Sequence, residues 1–191
     1  EVAKAIENDP EILDLIAKRQ KEREEEIERN EVGEKVEKVL AEALQQQGFD
    51  VKKEIYGRDL VITLRKKNAK YSVEVKSTTR ESYVSMTPYQ ASSAVQESDN
   101  YALCVVHKNG SVVNKDYIRK NAKFVIDIGD KLENKVEEVG EFESTKNEIA
   151  NTNEDIDLFY ENSLEYKYKI SSNVWTKGKS FWDFIQHISE F

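Results

Sequence analysis

The stretch from Gly57 to Lys76, GRDLVITLRKKNAKYSVEVK, constrains the fold of this chain more than any other. A polar turn signal, KNAK, separates two apolar runs, and this pattern is typical of an antiparallel hairpin. Asp59 begins the first run, and Glu74 and Lys76 lie two residues apart in the second. Residues two apart in a strand face the same way, so Glu74 and Lys76 share one face of the sheet. We therefore expect the hairpin to bring Asp59 close to both of them.

Two carboxylates beside one lysine suit a divalent cation. Mg²⁺ prefers carboxylate, carbonyl and water oxygens, which Asp59, Glu74 and the backbone carbonyl of Val75 would supply. Such an ion lowers the pKa of a bound water and stabilises charge on a phosphate. Lys76 would orient or deprotonate the attacking water, or neutralise the developing charge. An E-x-K triplet is common, however, and the alternative is a surface hairpin with an ordinary cross-strand ion pair.

The segment before the hairpin predicts a helix and a strand. Apolar residues recur at helical spacing from Val32 to Leu44, and Gly48 follows as a helix-ending residue. Glu37 lies on this helix and can reach toward the acidic face of the hairpin. From spacing alone, an exposed helix glutamate is the better interpretation of Glu37. The run Val51–Tyr56 alternates loosely and predicts the first strand.

The segment after the hairpin predicts a second helix and a further strand. Thr87 and Pro88 have the character of an N-cap and a first helical residue, which puts Gln90 in the first turn. The helix is expected to end near Ser98. Tyr101–His107 is an apolar run typical of a buried strand, which should pair parallel because the helix forms a crossover connection. The predicted fold is therefore a mixed α/β sheet with the order helix, three strands, helix, strand.

This order, with Asp59 on the second strand and Glu74-x-Lys76 on the third, resembles the PD-(D/E)XK nuclease superfamily over about Glu31 to His107. The resemblance implies a restriction-endonuclease-like αβββαβ core and a Mg²⁺- or Mn²⁺-dependent nuclease. Asp59 and Glu74 would be metal ligands, and Lys76 would be the catalytic lysine. The proline that precedes the first acid in the superfamily is absent, and Arg58 stands in its place.

Two further positions and one longer stretch narrow the resemblance. An acidic residue about eleven before a glycine, as in the Mrr-like and archaeal resolvase branches, falls on Glu37 and implies an auxiliary acid. Gln90 falls where several branches carry a polar residue near the site. The stretch VEVKSTTRESYVSMTPYQASSA, followed by DNYALCVV, is similar to the domain named after the C-terminus of the plant protein NO VEIN. That domain is often appended to ATPases and helicases, including bacterial defence proteins.

Composition limits the compartment and the chemistry. The 191-residue chain is 35% charged, with a net charge of −8, and no apolar run approaches the ~20 residues of a membrane helix. The single cysteine, Cys104, lies in an apolar run, which predicts a buried thiol in a reducing, cytoplasmic compartment. The two histidines, His107 and His187, are far apart, which disfavours a zinc site or a Ser-His-Asp triad. The start at Glu1 and the single methionine, Met86, indicate the C-terminal part of a longer protein, or a trimmed chain.

Charge is unevenly distributed along the chain. Residues 48–80 contain nine basic and four acidic side chains, which favours contact with a nucleic-acid backbone. Residues 131–165 are acidic and predict an insertion with loops, either a solvated face or an interface with a basic partner.

We divide the chain into a charged helical extension (1–30), a nuclease-like core (31–130) and an acidic insertion with a C-terminal strand and helix (131–191). The extension is a solvated connecting helix, a tether to an upstream domain, or a contact in a homodimer.

The sequence thus predicts a Mg²⁺-dependent nuclease domain that acts on DNA, in restriction or anti-phage defence, with a linked ATPase- or helicase-type domain or partner subunit. Two other classes stay open: a non-cleaving module on the same fold that binds nucleic acid or a protein, and a structural C-terminal adaptor. Convergence of Glu37, Asp59, Glu74 and Lys76 in space would favour the enzyme over the adaptor. Among the C-terminal aromatic residues, which are more often core residues, Trp175 is the best candidate for base stacking.

Overall fold

The computed structural model describes residues 10–54, 56–64, 69–79, 82–150 and 166–190. The chain divides into two compact units, Glu1–Lys35 and Val36–Phe191. Helix α1 covers Pro10–Gln45 without interruption. The change of sequence pattern at Glu31 therefore does not end a helix. The segment is rich in Glu, Lys and Arg, which are good helix formers, and one interior glycine costs only about 1 kcal/mol.

The main sheet has the strand order β1-β2-β3-β5-β6. Its strands are β1 (Asp50–Lys53), β2 (Leu60–Leu64), β3 (Ala69–Thr78), β5 (Tyr101–His107) and β6 (Ala122–Val125). The β2–β3 hairpin is antiparallel, and β3 pairs parallel with β5. Both predicted pairings are thereby confirmed. Strands β1 and β6 are antiparallel to their neighbours. A small second sheet pairs β4 (Val84–Met86) with β7 (Tyr168–Ile170).

The remaining helices are α2 (Pro88–Gln96), α3 (Lys115–Asn121), α4 (Ile128–Ala150), α5 (Ser172–Trp175) and α6 (Phe181–Glu190). Helix α4 corrects the prediction of loops from residue 131 onward. Its apolar residues Leu132 and Val136 recur at helical spacing and pack on the core, which stabilises a helix despite the acidic composition. Residues 151–165 lie outside the described part of the chain.

Two buried clusters cover the two faces of the main sheet. The first joins α1, α3 and α6 to the odd-numbered side chains of β3. The second joins α2, α4 and the small sheet to Tyr101, Leu103 and Val105 of β5. Because side chains alternate along a strand, the even-numbered residues of β3 face the second cluster. Ser72, Glu74 and Lys76 therefore lie on the α2 side of the sheet.

Two sequence predictions about core residues have opposite outcomes. Cys104 is fully buried on β5, as predicted, and burial raises the pKa of its thiol far above the usual range. Trp175 is only 2% exposed and its indole Nε1 donates to the Ser82 carbonyl at 3.1 Å. The base-stacking interpretation of Trp175 is wrong, because its ring fills the second cluster and its N–H is satisfied there. Within the described residues, no helix combines the length and the apolar character needed to cross a bilayer.

Candidate functional site

The β2–β3 hairpin places the Asp59 carboxyl at the edge of β3. Pairing of the two strands begins at Leu60 and Val73, and the Asp59 N–H donates to the Val73 carbonyl at 3.1 Å. Beyond that point β3 continues without β2 beside it. There the Val75 N–H donates to Asp59 Oδ2 at 2.7 Å. The carboxyl of Asp59 consequently lies within interaction distance of the Glu74 carboxyl.

Glu74 is the only acidic residue among the buried side chains of the described chain, with no solvent exposure. Its Oε1 accepts from Lys76 Nζ at 2.5 Å and from Gln90 Nε2. Its Oε2 is buried and has no hydrogen-bond donor. An acceptor without a donor, close to a second carboxyl group, is a place where a cation or a proton is stabilised.

The electrostatics of the pair reflect this crowding. The pKa of Glu74 is raised to about 7, chiefly by burial and also by the Asp59 charge, while the Lys76 ammonium acts in the opposite direction. Burial also raises the pKa of Asp59, although the Val75 N–H bond lowers it and the Glu37 charge raises it. A positive ion between the two carboxyl groups would favour the ionised form of both.

The start of α2 orients Gln90. Thr87 is the N-cap, as predicted: its hydroxyl accepts from the Gln90 N–H at 3.2 Å, and Gln90 Oε1 accepts from the Thr87 N–H at 2.9 Å. This capping box occupies the amide oxygen of Gln90. The amide nitrogen is left facing the sheet, where it donates to Glu74.

Glu37 lies near this group but binds a different partner. Its Oε2 pairs with Lys53 Nζ at 2.8 Å, and its side chain is 19% exposed. The interpretation as an exposed helix glutamate is therefore wrong, because α1 packs this turn against the sheet. The charge of Glu37 acts on Asp59 through space.

The donor set fits a hard divalent cation. No cluster of three or more His, Cys, Asp or Glu side chains suited to a metal occurs in the described part of the chain. The two carboxyl groups are supplemented by a main-chain oxygen, because the N–H and C=O of one strand residue point to the same side. The Val75 carbonyl therefore lies on the Asp59 side of β3. Two carboxylates and one carbonyl leave room for the several waters that Mg²⁺ retains.

Three of the five basic side chains of the predicted patch that the structure describes are paired with acidic residues. Lys53, Arg58 and Lys76 are each paired with an acidic residue. Lys52 and Lys70 are exposed. The other four basic side chains of the patch, Arg65, Lys66, Lys67 and Arg80, lie outside the described residues.

Sequence reasoning missed a second polar group on this face, formed by Arg58, Ser72 and Glu97. The sequence contained one indication that Ser72 belongs to the site: it precedes Glu74 by two residues on the same strand and so shares its face. The sequence contained no such indication for Glu97, since its partner Arg58 is 39 residues away in sequence.

The fold and the site define a mixed α/β domain that carries an acidic pair, a lysine and an amide donor on one face of its sheet. Residues 16–118, more than half of the chain, match the family described as Protein NO VEIN, C-terminal, and the chain belongs to this family. Comparison with curated proteins and with solved structures found no significant match.

Proposed function

We propose that this domain hydrolyses DNA phosphodiester bonds as a Mg²⁺- or Mn²⁺-dependent nuclease of the PD-(D/E)XK type. The observation that carries the proposal is the adjacency of the Asp59 and Glu74 carboxyl groups, with Lys76 bonded to Glu74. This is the juxtaposition that the sequence motif predicts for such a nuclease. The unsatisfied Glu74 Oε2 supports a positively charged ligand at the same place.

Each side chain has a defined part in this proposal. Asp59, Glu74 and the Val75 carbonyl would hold the cation, which would supply an acidified water and charge stabilisation at the phosphate. Lys76 is 24% exposed, so its ammonium can reach both Glu74 and a substrate. It orients the attacking water or neutralises the negative charge that develops on the phosphate. Gln90 fixes the Glu74 carboxylate through its amide.

In the overall reaction, water oxygen bonds to phosphorus, and the bond from phosphorus to the leaving oxygen breaks. One proton of the water is released, and the leaving oxygen gains a proton. Glu37 is an auxiliary acid in this proposal, since its charge acts on Asp59 while its carboxylate pairs with Lys53.

A role in restriction or anti-phage defence, inside a larger cytoplasmic protein, completes the proposal. The net charge of −8 and the pairing of three nearby basic residues make tight unaided binding of DNA unfavourable. A linked ATPase- or helicase-type domain, or a partner subunit, would deliver the nucleic acid to the site.

A cleavage assay tests the proposed function. Supercoiled plasmid and single-stranded RNA are incubated with the protein and Mg²⁺ or Mn²⁺, and a chelator serves as the blank. We expect cleavage of plasmid by the wild type, and its loss in Asp59→Asn and Lys76→Ala. Lys131→Ala is the matched control, because Lys131 also pairs with an acidic residue but lies on α4. Equal cleavage by wild type and Asp59→Asn would contradict the proposal.

A non-cleaving binding module is the second candidate. The ion pairs made by Lys53, Arg58 and Lys76 favour a protein over nucleic acid as the ligand of such a module, because a carboxylate already pairs with each of these three charges. In that case neither plasmid nor RNA is cleaved, and Lys76→Ala binds nucleic acid or a protein partner as the wild type does. The structural adaptor is disfavoured by the convergence of acid pair, lysine and amide.

A further inference from the structure

Arg58 lies directly before Asp59, and its guanidinium group is the centre of a polar network on the same face of the sheet as Glu74. Arg58 Nη1 donates to Ser72 Oγ at 2.9 Å and lies 2.6 and 2.7 Å from the two carboxylate oxygens of Glu97. Ser72 Oγ donates to Glu97 Oε2 at 2.6 Å, which closes the network. The Arg58 and Glu97 side chains are 23% and 31% exposed, so solvent screens their pairing only in part.

The network connects two elements that each contact the acid pair. Ser72 precedes Glu74 by two residues on β3. Glu97 is the C-cap of α2, whose first turn carries Gln90. Helix α2 is therefore attached to the sheet at both ends, through Gln90 to Glu74 and through Glu97 to Arg58 and Ser72.

The segment that carries Asp59 lies outside β2. Asp59 itself bonds to β3 through its N–H and its carboxyl, and the residues before it are held by contacts of their own. Gly57 has a φ of 73°, and a Cβ atom there would lie 2.4 Å from Ser93 Oγ and 2.8 Å from a ring carbon of Tyr89. The Gly57 carbonyl accepts from the Tyr101 hydroxyl at 2.7 Å. Like charges repel, so the Asp59 carboxylate would move away from the second carboxylate if the segment were less firmly held.

We propose that Arg58 is a positioning residue, which holds the Asp59 carboxyl beside Glu74, through Glu97 and Ser72, in the geometry that binds a divalent cation. This inference rests on the proposed function, because the cation is the ligand of that site. Nη1 makes all three contacts, and the planar guanidinium fixes the directions of its two N–H donors, so this one nitrogen reaches the hydroxyl and the carboxylate together. A lysine ammonium at this position would keep the charge and lose that geometry.

A purely electrostatic role for Arg58 predicts the opposite effect. Removal of a positive charge near a cation site lessens repulsion, and should leave Mn²⁺ binding unchanged or tighter. Loss of orientation should weaken it, because the partners that orient metal ligands typically contribute 10–100-fold in metal affinity. The direction of the change in affinity therefore separates the two roles.

Calorimetric titration with Mn²⁺ tests the inference on the full chain. The variants are Arg58→Met, Arg58→Lys, Glu97→Gln and the double change of Arg58→Met with Glu97→Gln. We expect each single change to weaken Mn²⁺ binding about 10-fold or more. The double change should be little worse than one alone, because the two residues act as a unit.

Arg119→Met is the matched control. Arg119 is 24% exposed and pairs with Asp116 on α3, so the change removes the same charge and a similar ion pair elsewhere. Mn²⁺ affinity should stay at the wild-type value in this variant. Circular dichroism is recorded beside each titration, and affinities are compared at a temperature at which the variants are folded. If Arg58→Met does not fold, Arg58→Lys carries the test, because it keeps the positive charge and changes only the donor geometry. Glu97→Gln alone does not separate the two roles, since loss of a negative charge near the site also weakens cation binding.

Mn²⁺ affinity equal to or tighter than wild type in both Arg58 variants and in Glu97→Gln would overturn the positioning role and leave the metal site in place. Weaker binding in Arg58→Met with full retention in Arg58→Lys would also overturn it, since charge alone would then suffice. A wild type that binds no Mn²⁺ would overturn the proposed function itself.

Discussion

Glu74 is fully buried beside Asp59, and both carboxyl groups have raised pKa values. An acid whose pKa is higher in the folded state than in the unfolded state loses its proton more readily on unfolding. Its contribution to stability is therefore fully present below the ordinary pKa of 4.5, and is lost as pH rises to about 7. Ionisation of Glu74 thus opposes folding unless a cation compensates it.

The first prediction concerns this pH dependence. With a chelator present, the free energy of unfolding of the wild type should fall by an amount on the order of 3 kcal/mol between pH 5 and pH 8. The melting temperature should fall with it. Glu74→Gln should remove most of the fall, because the amide is neutral and can still accept from Lys76. Thermal melts followed by circular dichroism at a series of pH values measure the effect. An equal fall in Glu74→Gln would contradict the assignment.

The second prediction concerns Lys76 and separates enzyme from scaffold. Lys76→Ala removes a cation beside two carboxyl groups, so it should leave folding almost unchanged, or tighten metal binding, while it abolishes cleavage. The loss of one preorganised electrostatic group typically lowers a rate on the order of 10²–10³-fold. Lys76→Arg should not restore the rate, since the guanidinium cannot accept a proton and fits a water poorly.

Single-turnover cleavage at saturating protein, with a thermal melt of each variant, measures this separation. Lys131→Arg and Lys131→Ala are the controls for the two substitutions. Wild-type rates in both Lys76 variants would refute a catalytic lysine at this position.

At the scale of the elements, α2 matters because one of its side chains both caps the helix and contacts the site. The Thr87–Gln90 capping box stabilises the helix, and the same Gln90 side chain orients Glu74. We therefore expect Thr87→Ala to have two effects: a loss of about 1 kcal/mol in unfolding free energy, and a weaker hold on the Glu74 carboxylate.

The third prediction follows from that coupling. Gln90→Glu keeps a residue suited to the capping box and puts a third carboxylate beside Glu74. With a chelator present, the melting temperature of Gln90→Glu should be lower than that of the wild type at pH 8 and close to it at pH 5, because the carboxyl groups repel each other only when both are ionised. Gln96→Glu, at the exposed end of the same helix, is the control for added charge. An equal deficit at both pH values would contradict the coupling.

Local signals predicted the elements that surround the site. Alternation predicted the hairpin, the Thr87-Pro88 pair predicted the start of α2, and the apolar run predicted β5 and its parallel pairing. Non-local packing was not predictable in the same way. Nothing in the spacing of Glu37 shows that Lys53 is its partner, and nothing around Glu97 indicates Arg58. The burial of Trp175 likewise depends on the second cluster, which forms only when distant segments meet.

The whole unit Val36–Phe191 has helices on both faces of its main sheet, and the acid pair lies on the face covered by α2. Its β3 and β5 strands run side by side at the centre, with Val75 directly opposite Cys104. The charged oxygens and the thiol are thus on neighbouring strands, although the thiol faces the first cluster. A change that opens this part of the sheet exposes both.

Cys104 is the single cysteine of the sequence, and it is fully buried with a raised thiol pKa. A thiol reagent can reach it only when the central strands separate, so the rate of its modification measures how often that opening occurs. A cation that binds the closed form alone should slow modification by the factor one plus its concentration over its Kd. We expect Mn²⁺ to protect the wild type and not Asp59→Asn, and equal rates with and without Mn²⁺ in the wild type would contradict the metal site. The lone thiol is thus a natural reporter of occupancy at a site it does not touch, and it needs neither a substrate nor a label.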